Sequence, residues 1–527
     1  MSLVDIQRTD EPESKAAQDQ GISNKILTVD EISVCVADLK QTGQIVVHCH
    51  GVFDLLHPGH MNHLQQAKRH GDVLVVTITP DRHVNKGPGR PVFNQRIRAE
   101  TLAALQCVDY VAINEWTTAV EVIEKISPTY FAKGGEFSDR DTDLTGAISK
   151  EEEAIKRIGG QLLLTDGITF SSSELINKHY NIYPPEAEDF LQNFRSRNTS
   201  DDLIGKLESL KDLKVLVIGE TIIDEYHYCL PMGKSTKESI VASRFVNNES
   251  FAGGSLACAN HIAGFCDNVD LVTVLGGQDS QESFIRDNLK SNVSPTFFYR
   301  HDSPTIVKRR YVWEPFLTKL FEIYIFDDSP LPKETEIPIS AYLKAVMANY
   351  DLVLVTDYGH GMMSEKLIKQ LCDDSRFLAV NTQTNSANAG FNLITKYPRA
   401  DYVCIDEPEV RLATSDRGSD IDVLARSIAD RLQTKSLTIT RGHKGSVTIN
   451  GSETAVHVPI LSTEVKDRVG AGDAFLAVTA PAVCAGLTPE ETGFIGNAVG
   501  AMAVKIVGNK TAVEPVGLNR FITALLK

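Results

Sequence analysis

Short apolar runs alternate with amphipathic segments along most of this chain, and this pattern limits the folds it can adopt. Between residues 44 and 180, the runs QIVVHCHG, DVLVVTIT, DYVAIN and QLLLTD have the length and β-branched content of buried strands. Segments with helical periodicity, HMNHLQQAKRHG and NQRIRAETLAAL, separate some of them. Because strands buried on both faces belong to parallel sheets covered by helices, we predict an α/β domain built on a parallel sheet.

The alternation stops after residue 180 and restarts near residue 211. LKVLVIGE, DLVTVLGG, DLVLVTDYG, RFLAVNT, DYVCID and SLTITRG read as strands of a second α/β domain over residues 211–527, which ends in helices. The polar segment NIYPPEAEDFLQNFRSRNTSDD predicts a partly helical linker over residues 181–210. The acidic, polar N-terminus predicts a flexible extension over residues 1–43. Two domains suit a chain of 527 residues, which is too long for one ordinary core.

Composition narrows the classes of function. The net charge of -16 argues against broad binding of nucleic acid or anionic membranes, but a small anionic substrate responds to local groups. The nine cysteines form no CxxC pair, and the N-terminus lacks a signal-peptide pattern. We therefore expect a cytoplasmic protein whose partners are small molecules. The oligomeric state stays open, with a homodimer as one possibility.

The segment HGVFDLLHPGHMNHL, residues 50–64, holds four of the 14 histidines. His57 and His60 lie where a strand passes into a helix, and Pro58 and Gly59 suit the first helical turn. The free N–H groups of that turn form an anion site, to which two imidazoles would add donors. Zinc binding by these histidines is the alternative. Besides Cys49 and Asp54, no cysteine or carboxylate has a spacing that suits a zinc site. We assign no role to His63 or His70, which are expected on the helix surface.

The string GVFDLLHPGH resembles the nucleotidyltransferase superfamily of cytidylyltransferases and adenylyltransferases. NKGPGRPVFNQR, FAKGGEF and GITFSSSELI are similar to later segments of that family, although its last signature ends in Thr where this chain has Ser173. The resemblance covers residues 44–180 and implies a Rossmann-like domain in which a substrate phosphate attacks the α-phosphorus of a nucleoside triphosphate. It implies catalytic roles for His57, His60 and Lys133. It implies nucleotide contacts for Gly51, Phe53, Asp54, Gly59, Lys86, Arg96, Ser171, Ser172 and Ser173.

A glycine-rich turn, DRVGAGDAF, precedes a helix near the C-terminus. The N–H groups of Gly470, Ala471 and Gly472 can point together into an anion hole, and Asp473 follows at the start of the helix. A carboxylate beside such a hole suits removal of a hydroxyl proton during phosphoryl transfer. A plain helix start, with Asp473 as a favourable first-turn charge, is the alternative on this motif alone.

Other segments of the second domain extend this pattern. LVIGETIIDEY and FAGGSLACANHIA, together with DRVGAGDAF, resemble the ribokinase-like (PfkB) carbohydrate kinases over residues 213–527. The resemblance implies that Asp473 is the base and that Asn497 contacts nucleotide. Lys308 and Arg309 are candidates for substrate contact, with an edge strand carrying solvated charges as the alternative. The implied sugar-binding residues are Asp224, Gly253, Gly254 and Asn260.

Together the two halves resemble the bifunctional heptose-phosphate kinase/adenylyltransferases of bacterial lipopolysaccharide synthesis, with the domain order reversed. The resemblance implies phosphorylation of a sugar or sugar phosphate by ATP and nucleotidyl transfer from CTP or ATP, with Mg²⁺ as cofactor, for surface glycan synthesis. VNTQTNSANAGFN lacks the Pro-Lys pair of the heptose enzymes, and Arg468-Val469 replaces Thr-Thr. The sugar and the choice between CTP and ATP therefore stay open. A single active half and a non-catalytic sugar sensor are the alternatives.

Overall fold

The computed structural model describes residues 24–84, 90–134, 147–165, 184–386, 388–451 and 453–527. These residues form two compact units. The first comprises the described residues up to 165 together with residues 519–525, and the second comprises residues 184–518. The predicted α/β class is confirmed in both units, whereas the second unit begins earlier than the predicted residue 211.

The first unit is built on one five-stranded parallel sheet with the order β3-β2-β1-β4-β5. Its strands are β1 Val46–Gly51, β2 Val73–Ile78, β3 Tyr110–Ile113, β4 Tyr130–Gly134 and β5 Gln161–Thr165. Its helices are α1 Val29–Gln41, α2 Pro58–Arg69, α3 Gln95–Ala103, α4 Val120–Ile126 and α5 Ala147–Arg157. The strand order reverses between β1 and β4, and in open α/β sheets ligands bind at the carboxyl ends of the strands at such a point.

Helix α1 corrects the prediction of a flexible extension up to residue 43. Thr28 and Glu31 form a capping box at its start, and Val29, Ile32 and Val36 are buried in the core on one face of the sheet. The spacing of these three residues places them on one helical face, so their burial stabilises the helix. Only residues 1–23 of the predicted extension lie outside the described residues.

The second unit contains a nine-stranded sheet with the order β10-β9-β6-β13-β14-β15-β16-β17-β18. All neighbours from β10 to β16 are parallel, and β17 and β18 continue antiparallel. These strands are β6 Lys214–Gly219, β9 Asn268–Gly276, β10 Val293–Arg300, β13 Leu352–Asp357, β14 Leu378–Thr382, β15 Tyr402–Asp406, β16 Ser436–Thr440, β17 Ser446–Asn450 and β18 Val456–Val458. No helix among the described residues is long and apolar enough to cross a membrane.

The remaining helices include two in the predicted linker. Phe194 of the first of these is fully buried and stacks on Phe494 with ring centroids 4.4 Å apart, and Leu203 of the next helix is also buried. This segment therefore belongs to the core of the second unit. The helices are α6 Pro185–Arg195, α7 Ser200–Glu208, α8 Ser255–Ile262, α9 Glu282–Asn288, α10 Lys333–Val346, α11 Glu365–Asp374, α12 Glu407–Thr414, α13 Ile421–Leu432, α14 Ala471–Cys484, α15 Pro489–Ala503 and α16 Pro515–Leu526.

A separate four-stranded sheet in the second unit has the order β12-β11-β7-β8. Its strands are β7 Thr221–Lys234, β8 Val241–Gly254, β11 Ile306–Trp313 and β12 Thr318–Ile325. Strand β11 lies between β12 and β7, so the alternative of an edge strand for Lys308 and Arg309 is wrong. Side chains alternate across β11, which sends Lys308 and Arg310 to one face and Arg309 to the other.

Candidate active sites

The first candidate site lies at the carboxyl end of β1, the central strand of the first unit. Gly51 ends the strand, and a Cβ built there would come within 3.0 Å of the Phe53 ring. Phe53 itself has a φ of 47°, which places its backbone in the left-handed region. The ring of Phe53 contacts the ring of His60 edge-on at a centroid distance of 5.4 Å. Gly51 and Phe53 therefore shape the turn that leads to the histidines.

His57 and His60 lie together at the start of α2. His57 is the N-cap, and its Nδ1 accepts a long hydrogen bond of 3.4 Å from the backbone N–H of His60. The two rings stack with centroids 3.8 Å apart, next to Pro58 and Gly59 in the first turn. This places both imidazoles beside the N–H groups of a helix start, as the sequence predicts, and the arrangement suits an anionic group.

Asp54, for which a nucleotide contact is predicted, connects two segments of the site in this structure. Its carboxylate accepts backbone N–H groups from Val92 at 2.7 Å and from Phe93 at 3.1 Å. Arg98, which is fully buried, donates to the carbonyls of Val52 and Phe93. Asp54 and Arg98 thus hold the two loops of this site together. The sequence analysis missed Arg98, because a basic residue on a helix gives no signal of burial.

Lys133 lies at the end of β4, next to β1 in the sheet. Its ammonium pairs with the carboxylate of Glu151 on α5 at 2.8 Å, and both side chains are largely buried. Thr165, at the end of β5, donates its hydroxyl proton to the Lys133 carbonyl at 3.1 Å. His63 Nδ1 lies 2.7 Å from the Thr165 Oγ1. His63 is therefore half-buried at this edge of the sheet, which corrects its expected place on the helix surface.

Of the other predicted residues of the first unit, Arg96 is described by the structure and does not contact the histidines. Arg96 is largely exposed and pairs with Glu100 one helical turn away. Lys86 and the serines 171–173 lie outside the described residues. His50 belongs to the sheet, because its ring nitrogens hydrogen-bond Thr77 and Thr79 of the neighbouring segment at 2.8 and 3.3 Å. Within the described residues, no group of three or more His, Cys, Asp or Glu side chains is placed to hold a metal ion.

The second candidate site surrounds Asp473, in the first turn of α14. Gly470 is the N-cap with a φ of 81°, and a Cβ built there would come 1.9 Å from Asn509 Oδ1. Among the described residues no side chain caps this helix start. The N–H of Ala471 donates to the Arg468 carbonyl at 3.4 Å, so the N–H groups of Gly472 and Asp473 are the ones that helix geometry leaves available to an anion. The glycine-rich turn thus leads into a helix start as the sequence predicts, but the Ala471 N–H, one of the predicted donors, is engaged within the turn.

Two residues that the sequence analysis missed hold the Asp473 carboxylate. The Tyr358 hydroxyl donates to Oδ1 at 3.0 Å, and the Gln383 amide donates to the same oxygen at 2.7 Å. Burial raises the pKa of Asp473 to about 6, although these two hydrogen bonds act in the opposite direction. Gln383 lies in the segment that departs from the heptose kinases, and its distance from Asp473 in sequence hid the contact.

Asp224, on β7, faces the same region from the four-stranded sheet. It forms a buried ion pair with Arg310 on β11, and Arg310 also pairs with Glu322 at 3.1 Å. A Cβ built on Gly253 would come 2.2 Å from the Asp224 Oδ2, so only glycine fits there. Gly254 has a φ of 60° and ends β8. The structure thus places Arg310, rather than the predicted Arg309, beside Asp224, because Arg309 pairs with Glu225 on the other face.

Lys308 and His360 are buried polar groups in this region. The Lys308 side chain lies over the rings of Tyr324 and Tyr358, with its Nζ 5.5 and 5.9 Å from their centroids. Among the described residues, its ammonium makes no hydrogen bond or ion pair. Burial lowers the pKa of Lys308, and Asp224 partly offsets this. Neither ring nitrogen of His360 has a hydrogen-bond partner in the described part of the chain, and burial, with a contribution from Lys308, lowers its pKa to about 3.

Asn260 and Asn497, two of the predicted contacts, form hydrogen bonds within the protein. The side chain of Asn260 donates to the Asn288 carbonyl at 2.8 Å and accepts the Lys290 N–H at 2.9 Å, so it holds a loop. Asn497 donates to the Ser446 hydroxyl at 2.7 Å and to a carbonyl of its own helix. Both were inferred from family resemblance, and both amides are engaged within the protein fold.

Asp467 links the four-stranded sheet to the glycine-rich turn. Its carboxylate pairs with Lys319 of β12 at 2.7 Å and accepts the Tyr226 hydroxyl of β7 at 2.6 Å. It also accepts the backbone N–H of Val469, one residue before Gly470, at 3.2 Å. Asp467 thereby connects strands β7 and β12 to the glycine-rich turn that leads into α14.

Comparisons with known proteins agree with this division. The pfkB family carbohydrate kinase model matches residues 212–515, and the cytidylyltransferase-like model matches residues 48–178. Phosphofructokinase-2 from Escherichia coli, in complex with substrates and products, is similar over 60% of this chain and 100% of its own, with a TM-score of 0.50 and 13% identity, which supports the fold alone.

Curated relatives match a smaller part of the chain. The bifunctional protein HldE of Geobacter metallireducens is 35% identical over 168 residues, which is 31% of this chain and 32% of the relative. HldE of Aliarcobacter butzleri is 38% identical over 141 residues, 26% of this chain and 29% of the relative. The matched region thus spans about a third of the length of these relatives.

Proposed function

This chain belongs to the pfkB family of carbohydrate kinases, and from this membership we propose that its second unit transfers the γ-phosphoryl group of ATP to a hydroxyl of a sugar or sugar phosphate. The observation that carries the proposal is the buried carboxylate of Asp473 at the start of α14. The acceptor oxygen attacks the γ-phosphorus, its proton passes to Asp473, and ADP leaves. Oδ1 is held by Tyr358 and Gln383, and no described residue donates to Oδ2, which is the oxygen able to take the proton.

Charge in this site suits both substrates of a kinase. The N–H groups at the start of α14 would stabilise the phosphate charge that develops during transfer. Mg²⁺ would enter with ATP, because it typically binds through substrate phosphates and one or two carboxylates, and it would neutralise the phosphate oxygens. Asp224, fixed by Arg310, would accept hydrogen bonds from sugar hydroxyls.

The acceptor side of the site favours a substrate that already carries a phosphate. A buried ammonium without an anionic partner is unfavourable, and Lys308 would gain a counter-ion from such a group. An imidazole N–H of His360 would add a neutral donor. We therefore expect Lys308→Met to raise the KM for a phosphorylated acceptor about tenfold or more while leaving the KM for ATP nearly unchanged, by steady-state kinetics.

For the first unit we propose nucleotidyl transfer from CTP or ATP to a sugar phosphate. A phosphate oxygen of the acceptor attacks the α-phosphorus, and pyrophosphate leaves; since the nucleophile is already an anion, no general base is needed. His57, His60 and Lys133 would stabilise the transferred group, with Lys86 and Ser171–Ser173 as predicted contacts outside the described residues. The match to the cytidylyltransferase-like model and the name of the relatives, which describes them as bifunctional, support this second activity.

The two activities would act in one route that leads to a nucleoside-diphosphate sugar, of the kind used for surface glycans. The test is incubation of the purified chain with Mg²⁺, ATP, CTP and a panel of sugars and sugar phosphates, with products identified by mass spectrometry. We expect ADP with a newly phosphorylated sugar, and pyrophosphate with a nucleoside-diphosphate sugar. Binding of nucleotide and sugar phosphate without turnover of any panel member would contradict the proposal and support a sensor. If only sugar phosphorylation or only nucleotidyl transfer occurs, the result would support the alternative of a single active half.

A further inference from the structure

The ring of His63 occupies the edge of the sheet at which Lys133 ends β4. His63 lies on α2 three residues after His60, and residues three apart share a helical face. Its Nδ1 contacts the hydroxyl of Thr165, the last residue of β5. Lys133 is close enough to influence the His63 ring electrostatically. His63 therefore lies beside the residues to which nucleotidyl transfer is assigned above, although the transfer does not use it.

The hydrogen bonds around Thr165 determine which nitrogen of His63 carries the proton. A carbonyl oxygen can only accept, so the contact of 3.1 Å between Thr165 Oγ1 and the Lys133 carbonyl uses the single hydroxyl proton of Thr165. The contact of 2.7 Å between Thr165 Oγ1 and His63 Nδ1 must then be donated by the histidine. In a neutral ring the remaining nitrogen, Nε2, has a lone pair and no proton.

The imidazole ring of His63 is neutral at neutral pH. Burial, with a further contribution from Lys133, lowers the pKa of His63 to about 4. Among the described residues, Nε2 makes no hydrogen bond. Of the groups assigned to the transfer, Lys133 is the one shown to act on His63, and its ammonium can only donate. Nε2 therefore adds a hydrogen-bond acceptor beside this donor, and it suits a ligand atom that carries a proton.

We propose that His63 Nε2 accepts a hydrogen bond from a substrate hydroxyl and thereby selects substrates that carry it, with Thr165 as the positioning residue that fixes the tautomer. The inference rests on the nucleotidyl transfer proposed for the first unit. A phosphate group at neutral pH has few protons to donate, whereas a hydroxyl donates readily. The hydroxyl belongs either to the ribose of the nucleoside triphosphate or to the sugar of the acceptor, and the two sources share the same chemistry.

Deoxy and deoxyfluoro substrates test this inference, because neither hydrogen nor fluorine at the position can donate. One arm compares CTP and ATP with their 2′-deoxy and 3′-deoxy forms. The other compares a sugar 1-phosphate used by the wild-type protein with its series of deoxyfluoro analogues. In the wild-type protein we expect kcat/KM for one analogue, in one of the two arms, to be at least about tenfold lower than for the parent substrate. In His63→Asn we expect most of this difference between analogue and parent substrate to disappear. His70→Asn, at the exposed end of α2, is the matched control and should retain it.

Thr165 provides a second test that leaves the histidine in place. Thr165→Val removes the hydroxyl and should allow the other tautomer, which weakens discrimination, whereas Thr165→Ser should restore it. The ¹⁵N chemical shifts of the His63 ring should report a protonated Nδ1 in the wild type and in the serine variant only. The inference would be overturned if the wild-type protein catalyses the transfer but discriminates against the analogues no more strongly than His63→Asn does. A protonated Nε2 in the wild-type protein would overturn it as well. Absence of transfer in the wild type would instead contradict the proposed function.

Discussion

The protonation of Asp473 decides whether it can act as a base. Burial favours the neutral acid, whereas hydrogen bonds from Tyr358 and Gln383 favour the ionised form, and the resulting pKa is about 6. Most of the carboxylate is therefore ionised at neutral pH, while its basicity is greater than that of an exposed aspartate. Kinase activity should thus fall as the pH decreases through about 6.

Gln383→Leu tests this account of the carboxylate. The substitution removes a donor that stabilises the ionised form, so the pKa of Asp473 should rise. The acidic limb of the kcat profile for sugar phosphorylation should move to higher pH, measured by coupled assay across the pH range. Tyr350→Phe, which removes a hydroxyl bonded to Asp270, is the control and should leave the limb in place. A shift to lower pH would contradict this role of Gln383.

The sugar-binding side of the proposed kinase site can be tested at Gly253, which lies against Asp224. In Gly253→Ala the new methyl group would overlap the Asp224 carboxylate, so Asp224 must leave its pair with Arg310. We expect kcat/KM for the sugar acceptor to fall about a hundredfold, since small displacements in an active site have effects of that size. The KM for ATP should change little. Gly205→Ala is the control, because a Cβ there meets no atom within 4 Å, and equal losses in both variants would refute the assignment.

Among the secondary-structure elements, the four-stranded sheet carries Asp224 and Lys308, which are proposed to contact the sugar or its phosphate, and Arg310, which holds Asp224. Asp467 connects β7 and β12 of this sheet to the segment before Gly470. The sheet and the anion hole would then keep a fixed distance, which in-line transfer requires.

Lys319→Met tests this connection. Without its ammonium, β12 loses its bond to Asp467, and we expect kcat/KM for phosphorylation to fall about tenfold. Nucleotidyl transfer should be unchanged, and Lys319→Arg should restore much of the loss. Lys510→Met, which breaks an exposed pair with Glu249 of the same sheet, is the control and should have little effect. An equal effect of the two methionine variants on phosphorylation would show that Asp467 does not couple the elements.

Most strands of the two large sheets could be predicted from sequence, because continuous apolar runs such as VLVIG and LVLVTD identify buried parallel strands. Strands β10, β17 and β18 were not predicted, because polar residues interrupt their short apolar runs. The four-stranded sheet was missed as a separate layer. Its strand β8 contains FVNNES, where exposed polar residues obscure any apolar alternation. The helices α6 and α7 were assigned to a linker because their buried face consists of few residues, including Phe194 and Leu203.

The motifs located both helix starts, and the structure places Asp473 and the pair His57 and His60 there. Their partners could not be predicted, since Gln383 and Tyr358 reach Asp473 only through the fold. Side chains alternate between the two faces of a strand, and this alternation along Lys308, Arg309 and Arg310 was the sequence signal that could have identified Arg310. It pairs Lys308 with Arg310 on one face and excludes Arg309.

Across the whole molecule, a net charge of -16 coexists with sites that suit anions. In each unit the attraction is local: a helix start with histidines and Lys133 in the first, and a helix start with Lys308 and Arg310 in the second. Local groups dominate because exposed charges farther away than about 10 Å are largely screened at physiological salt. Each unit thus contains the groups that its own proposed reaction needs.

The most direct test of two separate active sites is to measure both reactions in the same two variants. Asp473→Asn should lower sugar phosphorylation by about 10²–10⁴ while preserving nucleotidyl transfer from supplied sugar 1-phosphate. His60→Ala should lower nucleotidyl transfer by about 10²–10³ and preserve phosphorylation. Loss of both activities in either variant, with the protein still folded by circular dichroism, would contradict the account.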